Sequence, residues 1–510
     1  MEETLERGWL LPVFVAIIGA FMSILDSSIV NVAISTMMHV FGAGTEQIEW
    51  VVTVYLLAMA VVIPMTPWAG DRFGYKQLYI FSLIVFTAGS FLCAASTSIN
   101  MLIFARVVQA VGGGILMPAM MTMVKRIVPA KKFGAAIGLV GIALLLAPAL
   151  GPTIGGYLVE YMNWSWIFTI NIPIGIAGVI LAFAFLPQFT KIKNGKLDIG
   201  GAISAAMMLF SLLLALSKGN DWGWSSQPVV MLLYTSACTF VLFVYLEMTN
   251  KNPLLNLRLF KHRTFTMANL TMVIATIGNY AGLFYIPLFL QNIKGMGALD
   301  TGLLMLPGAL ITGLMMPVAG KLYDKVGPKP IAIFGVFSLA YTTYLLHGID
   351  INTPATTVMI WLILRGIAMT CITMPAQATA LEVPEKDVGA ASAISNTVSR
   401  VGASFGLAVL TSVLTGRIAF HSAIAAWGIT TSNPGVAQLM QKYSAASATG
   451  ISSVQGLITR DAYIRGLGDI FLISTIIVII GILPVVFLKK GGASKQNSSA
   501  VRIEPEALKD

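Results

Sequence analysis

Acid and base side chains buried in long apolar runs are where this sequence can carry chemistry. The clearest is Asp26, in SILDSSIVNVAI (Ser23 to Ile34), within a mostly apolar run from Trp9 to Met38. A charged aspartate at the centre of a membrane helix costs roughly 2.5–3.5 kcal/mol on an insertion scale, so it is kept where function needs it. At a helical advance of about 100° per residue, Asp26 shares one arc with Ser23, Ser27 and Asn31, and that arc must face protein or a water-filled cavity. A carboxylate there that takes up and releases a proton can couple proton entry to another event, and it can attract a cation that competes with the proton. The alternative is an aspartate locked in a structural hydrogen-bond network. Arg106 also lies in an apolar run, and it keeps its charge in any protein environment. It is expected to hold a nearby acid ionised, to bind an anionic group, or to form a packing salt bridge. Arg365 and Arg400 have no comparable acid in their own half, and structural or cavity-field roles are expected for them.

Other chemistries find little support. His39, His262, His347 and His421 are scattered and lack the close spacing of a metal site on one helix. Cys93, Cys238 and Cys371 all fall within apolar runs and read as small buried residues. Gly112, Gly113 and Gly114 are not a phosphate loop, because no strand precedes them and no Lys-Ser/Thr follows. The absence of a Walker motif argues against ATP-driven pumping, and no nucleophile–base motif suggests an enzyme. No metal and no cofactor are expected, only a proton as coupling ion.

The chain of 510 residues is 56% hydrophobic and 11% charged, against roughly 25% charged in soluble domains. Apolar runs of bilayer-spanning length recur throughout. A β-barrel would show short alternating segments instead. Fourteen spans are predicted, near 9–38, 47–69, 77–96, 99–124, 134–158, 164–187, 198–217, 228–249, 265–292, 299–320, 330–348, 354–379, 388–416 and 466–488. The first is expected to be retained, since MEETLERGW lacks a basic n-region and a cleavage site. The fold class is an all-α polytopic membrane protein.

The net charge of +10 is distributed topologically. Most basic residues fall in the loops after even-numbered spans or in the C-terminal tail, as in Lys125, Arg126, Lys131 and Lys132. This is the positive-inside pattern. It predicts a cell (inner) membrane protein with both termini cytoplasmic, and it leaves no case for nucleic acid as a partner.

An internal repeat is present. DRFGYK (Asp71 to Lys76) follows the second span and DKVGPK (Asp324 to Lys329) the tenth; Arg106 and Arg365 follow two spans later in each case. Paired repeats of this kind mark secondary transporters. The predicted divisions are a six-helix half at 1–190, a two-helix insertion and linker at 191–262, a second six-helix half at 263–490 with an outer loop at 417–465, and a polar tail at 491–510. The outer loop contains a candidate amphipathic stretch, GVAQLMQKYSAASATG, and is a candidate docking site for a periplasmic adaptor. Asp71, Arg72, Gly74 and Lys76, with Asp324, Lys325 and Gly327, are candidate gating residues at helix ends, where charges can pair with neighbouring helices. Gly151, Pro152, Gly155 and Gly156 crowd the fifth span; proline kinks and glycines pack closely, so a hinge or simple tight packing is expected there.

These motifs together resemble the major facilitator superfamily, and within it the fourteen-span drug:proton antiporters of the EmrB/QacA type. LDSSIVNVAI resembles that family's first-span motif, PWAGDRFGYK the loop motif between spans two and three, LIFARVVQAVGGG the fourth-span arginine motif, LAPALGPTIGGYL the fifth-span exporter motif, and WSWIFTINIPIG the start of the sixth span. The resemblance covers essentially the whole chain. Pro67 stands where the loop motif has glycine, and Ser165 where the sixth-span motif has a basic residue.

The resemblance implies a major facilitator fold of two pseudo-symmetric six-helix halves with two inserted helices. It implies an exporter of amphipathic or cationic drug-like compounds, in contact with membrane lipid and driven by protons, with Asp26 and Arg106 in proton coupling. Asp26, Asn31, Gln109, Asn279 and Tyr280 are the candidate cargo-binding residues. Three alternatives stay open at this point: the same fold moving a metabolite, lipid or siderophore; a proton-coupled importer; and a membrane sensor or scaffold that moves nothing.

Overall fold

The computed structural model describes residues 8–43, 45–129, 132–189, 198–250, 253–428 and 448–489. Among these there is no strand, and fourteen helices are long and apolar enough to cross a membrane. The first half holds α1 (Leu10–Val30, its helix running on to Phe41), α2 (Gln47–Phe73), α3 (Tyr75–Ala94), α4 (Ile99–Ile127), α5 (Phe133–Tyr161) and α6 (Trp166–Phe185). The insertion is α7 (Ile199–Trp222) and α8 (Gln227–Thr249). The second half holds α9 (Arg263–Gln291), α10 (Asp300–Val326), α11 (Pro328–His347), α12 (Ala355–Ala380), α13 (Glu385–Ala425) and α14 (Gly456–Val486). All fourteen expected spans are present, with ends shifted by a few residues.

The outer segment at 417–465 differs from the expected loop. The helix of α13 runs to Gly428, and the helix leading into α14 begins at Ala448. Alanine-rich sequence favours continued helix past the apolar stretch of α13, and the helix of α14 likewise begins before its apolar stretch. Most of the candidate amphipathic stretch, the tail at 491–510 and the linker residues 190–197 lie outside the described residues.

The repeat motif has a local cause. Gly74 joins α2 to α3 at φ 92°, and Gly327 joins α10 to α11 at φ 83°. That backbone conformation favours glycine, so the same tight turn recurs in each half. At this loop-motif end, the helices of the two halves meet. The α5 and α10 helices pack along each other. A Cβ on Gly134 would lie 2.6 Å from the Gly320 carbonyl oxygen, and one on Gly138 2.6 Å from the Pro317 Cα. Toward the far end of the same two helices, a Cβ on Gly156 or on Gly302 would meet nothing within 4 Å. The seam is closed at the loop-motif end.

The second seam is built differently. Here α13 meets α2 through Ile63–Phe73, where Pro64 lies in a tightened 3-10 turn, Ile63–Met65, and Pro67 follows it. Farther along, α7 packs on both α2 and α13. Lys218 of α7 is ion-paired to Glu49 of α2, and the Asn220 amide donates to the Ala408 carbonyl of α13 at 3.4 Å. The insertion therefore touches both halves. Its second helix, α8, lies against α7 and exposes most of its surface, including Tyr234, Val241 and Tyr245.

Candidate functional site

Five helices of the first half converge on Asp26. Its register on α1 follows from an unbroken apolar helix with buried neighbours Met22, Leu25, Ile29 and Val30. Arg106 stands two turns into α4, whose start is fixed by Ser98; its side chain caps the Met101 N–H. Asn171 opens the second segment of α6, after a break at Ile170. Pro173 falls in that segment's first turn, where its missing N–H loses no helical bond.

The carboxylate is fully buried, and three side chains donate to it. Arg106 Nη1 lies 2.5 Å from Asp26 Oδ2, Gln109 Nε2 2.8 Å from Oδ1, and Asn171 Nδ2 2.9 Å from Oδ1. Arg106 is 1% exposed and Asp26 0%. Arg106 also donates from Nη1 to Gln109 Oε1 at 2.6 Å and from Nε to the Val51 carbonyl at 3.1 Å. Its guanidinium lies 3.8 Å from the centre of the Tyr55 ring and 5.7 Å from that of Phe168. Gln109 Nε2 reaches Ser90 Oγ at 2.8 Å, and the Tyr55 hydroxyl is 3.1 Å from Ser23 Oγ. These donors suit an anionic carboxylate. The pair is electrically neutral, and such geometry is what lets a buried ion pair repay its desolvation.

Protonation of Asp26 removes the charge that holds Arg106, while Arg106 keeps its bonds to Gln109 and Val51. The arginine would then be a buried cation short of a counter-charge, a state that rearrangement relieves.

Of the residues expected on sequence, Asp26, Arg106 and Gln109 come together here. Gln109 is wedged between the ion pair and does not stand free for cargo. Both Asp26 oxygens are occupied, so this conformation leaves no face of the carboxylate for a cationic ligand. The side chains of Asn31 and Pro152 lie outside the described residues. Asn279 and Tyr280 are half-buried on α9 and, among the described residues, make no hydrogen bond to this cluster. The spacing from Asp71 to Asp324 also separates Asp26 from Asn279 and Ser90 from Thr343. The second half thus has an amide where the first has its acid. Arg365 there donates to Thr343 Oγ1 at 2.5 Å and to the Gly278 carbonyl, tying α12 to α11 and α9.

The gating candidates divide. Asp71 faces Arg126 of α4 at 3.6 Å, and Lys76 Nζ donates to the Phe183 carbonyl of α6 at 2.8 Å. Both contacts stay inside the first half. Arg72 and Lys325 are exposed, whereas Asp324 packs over Gly134 across the seam. Gly151 and Gly155 seat α5 against Ser28 and Ile29 of α1, beside Asp26, and Gly156 faces open space. The inter-half seal is instead made by Gly134, Gly138 and Gly141 against Gly320, Pro317 and Met316. Sequence reading passed over these three glycines, whose small-residue spacing on one face was the available signal. It also passed over Asn171, Ser90 and Tyr55. An asparagine inside the apolar sixth span was the one visible cue among them.

The comparisons with known proteins agree with this architecture. The Major Facilitator Superfamily profile matches residues 16–407. The chain belongs to the major facilitator superfamily. It is 31% identical over 463 residues to the "Multidrug export protein EmrB" of Escherichia coli (strain K12), covering 89% of each chain. It is 29% identical to the "Lincomycin resistance protein LmrB" of Listeria monocytogenes, covering 78% of this chain and 85% of that one. It is 32% identical to YhcA, an uncharacterised transporter of this superfamily from Bacillus subtilis (strain 168), over 92% of this chain and 91% of the other. Among solved structures, the proton:xylose symporter XylE superposes with a TM-score of 0.60 at 13% identity, over 94% of this chain and 96% of that one. That likeness concerns the fold.

Proposed function

We propose that this transporter exports amphipathic, drug-like compounds from the cell in exchange for protons. The observation that carries the reading is the buried Asp26–Arg106–Gln109–Asn171 cluster, a neutral ion pair whose only acid can take a proton. Similarity to relatives named for multidrug export and lincomycin resistance supports the choice of cargo. The charge pattern of the loops supports a cytoplasmic location for the loop-motif end and both termini. On that orientation the structure is closed to the cytoplasm. A proton from outside neutralises Asp26 and frees Arg106, and the halves rock about α5–α10 and α2–α13 to open the cytoplasmic end. Cargo then enters as the proton leaves, and re-forming the ion pair favours return. In this conformation the Asp26 carboxylate is taken up by its three donors, so a cationic cargo would meet it only after rearrangement.

Proteoliposomes with an imposed pH gradient test this. The wild type should concentrate an amphipathic dye against its gradient when the proton gradient is set to run the opposite way. Asp26→Asn should lose uphill transport while keeping its oligomeric profile. Uphill transport that persists undiminished in Asp26→Asn would remove Asp26 from the coupling step. A wild type that moves no dye would contradict the transport reading, leaving a sensor or scaffold.

A further inference from the structure

Arg106, Arg365 and Arg400 lie well inside their spans, and two of them are accounted for. Arg106 is neutralised by Asp26, and Arg365 is held by a hydroxyl and a carbonyl. Arg400, on α13, is different. Among the described residues it makes no ion pair and no hydrogen bond, and it is only half-buried. None of its nitrogens is a fully enclosed polar atom without a partner. The same holds for the amide of Asn279 and the hydroxyl of Tyr280 on α9.

The segment around Arg400 lies where the halves meet. Arg400 is within electrostatic reach of Tyr55 on α2 and of Tyr280 on α9. The next residue, Val401, packs against Leu57 and Ala60 of α2 and Leu213 and Leu214 of α7. Tyr280 shares a helix face with Val273 and Ile277, which meet Gly402 and Gly406 of α13. Tyr55 in turn stacks on Arg106. A cation at this depth without a counter-charge is costly, and no carboxylate of the first-half cluster is free to supply one.

We propose that Arg400 is an anion-recognising residue of the cargo site, and that the cargo class it favours is an amphiphile bearing an acidic group such as a carboxylate. The guanidinium fork suits a carboxylate bidentately, and Tyr280 is the candidate neighbouring donor. The inference rests on the export reading above and narrows its cargo.

The test compares transport of fluorescein, an anionic dye, with ethidium, a cationic one, in the same proteoliposomes. Arg400→Gln should lower the fluorescein-to-ethidium flux ratio roughly tenfold or more, the size expected for losing a charge-assisted contact. Arg400→Lys, which keeps the charge but loses the fork, should give an intermediate ratio, and it carries the test if the glutamine variant does not fold. A ratio unchanged in both variants, with both dyes still moving, overturns the assignment and leaves the export reading intact. A wild type that moves neither dye contradicts the export reading itself. Repeating the assay in vesicles of phosphatidylcholine alone separates cargo from lipid: an Arg400 effect seen only with anionic lipid present would mean that a lipid phosphate occupies the site, and would overturn the cargo assignment.

Discussion

At the scale of single residues, the ion pair is exacting because both partners are enclosed. Removing one partner of a buried pair typically costs about 3–5 kcal/mol, since the other charge is left uncompensated. Arg106→Ala should therefore destabilise the protein strongly. Asp26→Asn should cost less, because its amide oxygen can still accept from Arg106. The combined Asp26→Asn, Arg106→Gln variant should recover part of the Arg106→Ala loss. Melting midpoints in detergent measure this, and a double variant no more stable than Arg106→Ala would contradict the coupling. Asp26 was legible from sequence because a lone acid stands out in an apolar run. Its partners were less so. Gln109 and Asn171 look unremarkable until α4 and α6 are folded against α1, since 83 and 145 residues separate them from Asp26.

At the scale of elements, the halves meet through backbone. The Gly134–Gly320 approach leaves no room for a side chain, because each glycine faces the other's backbone carbonyl, which cannot swing away. Gly134→Val should hold the loop-motif end of α5 and α10 apart and abolish cycling without unfolding either half. In a background free of native cysteines, Met316→Cys is buried in the seam and should resist alkylation. Adding Gly134→Val should raise its alkylation rate about tenfold or more, as expected when a closed state loses a few kcal/mol of preference. An unchanged rate would contradict the seam's role in gating. Span positions were readable because hydropathy depends on local composition. The seam was not, since helix pairing depends on which small residues meet across the fold. The fifth-span motif drew attention to Gly151 and Gly155, which pack within one half, while the glycines that join the halves sit nearer the helix start.

At the scale of the whole molecule, the two halves share a turn, a loop motif and a fourth-span arginine, but only one keeps an acid beneath it. The repeat explains the fold. Its breakage, Asp26 against Asn279, explains why charge chemistry concentrates in the first half while the second presents an uncompensated cation. The inserted α7 bridges one seam and leaves the α5–α10 seam without a counterpart, so rocking is expected to be asymmetric about the two. The central claim is that cargo and proton exchange through the Asp26 carboxyl. Cargo-induced proton release from purified transporter, read with a pH indicator in weakly buffered detergent solution, tests it most directly. The wild type should release protons when a transported dye is added, and Asp26→Asn, binding the same dye, should release none. Equal proton release from the two proteins would contradict the account.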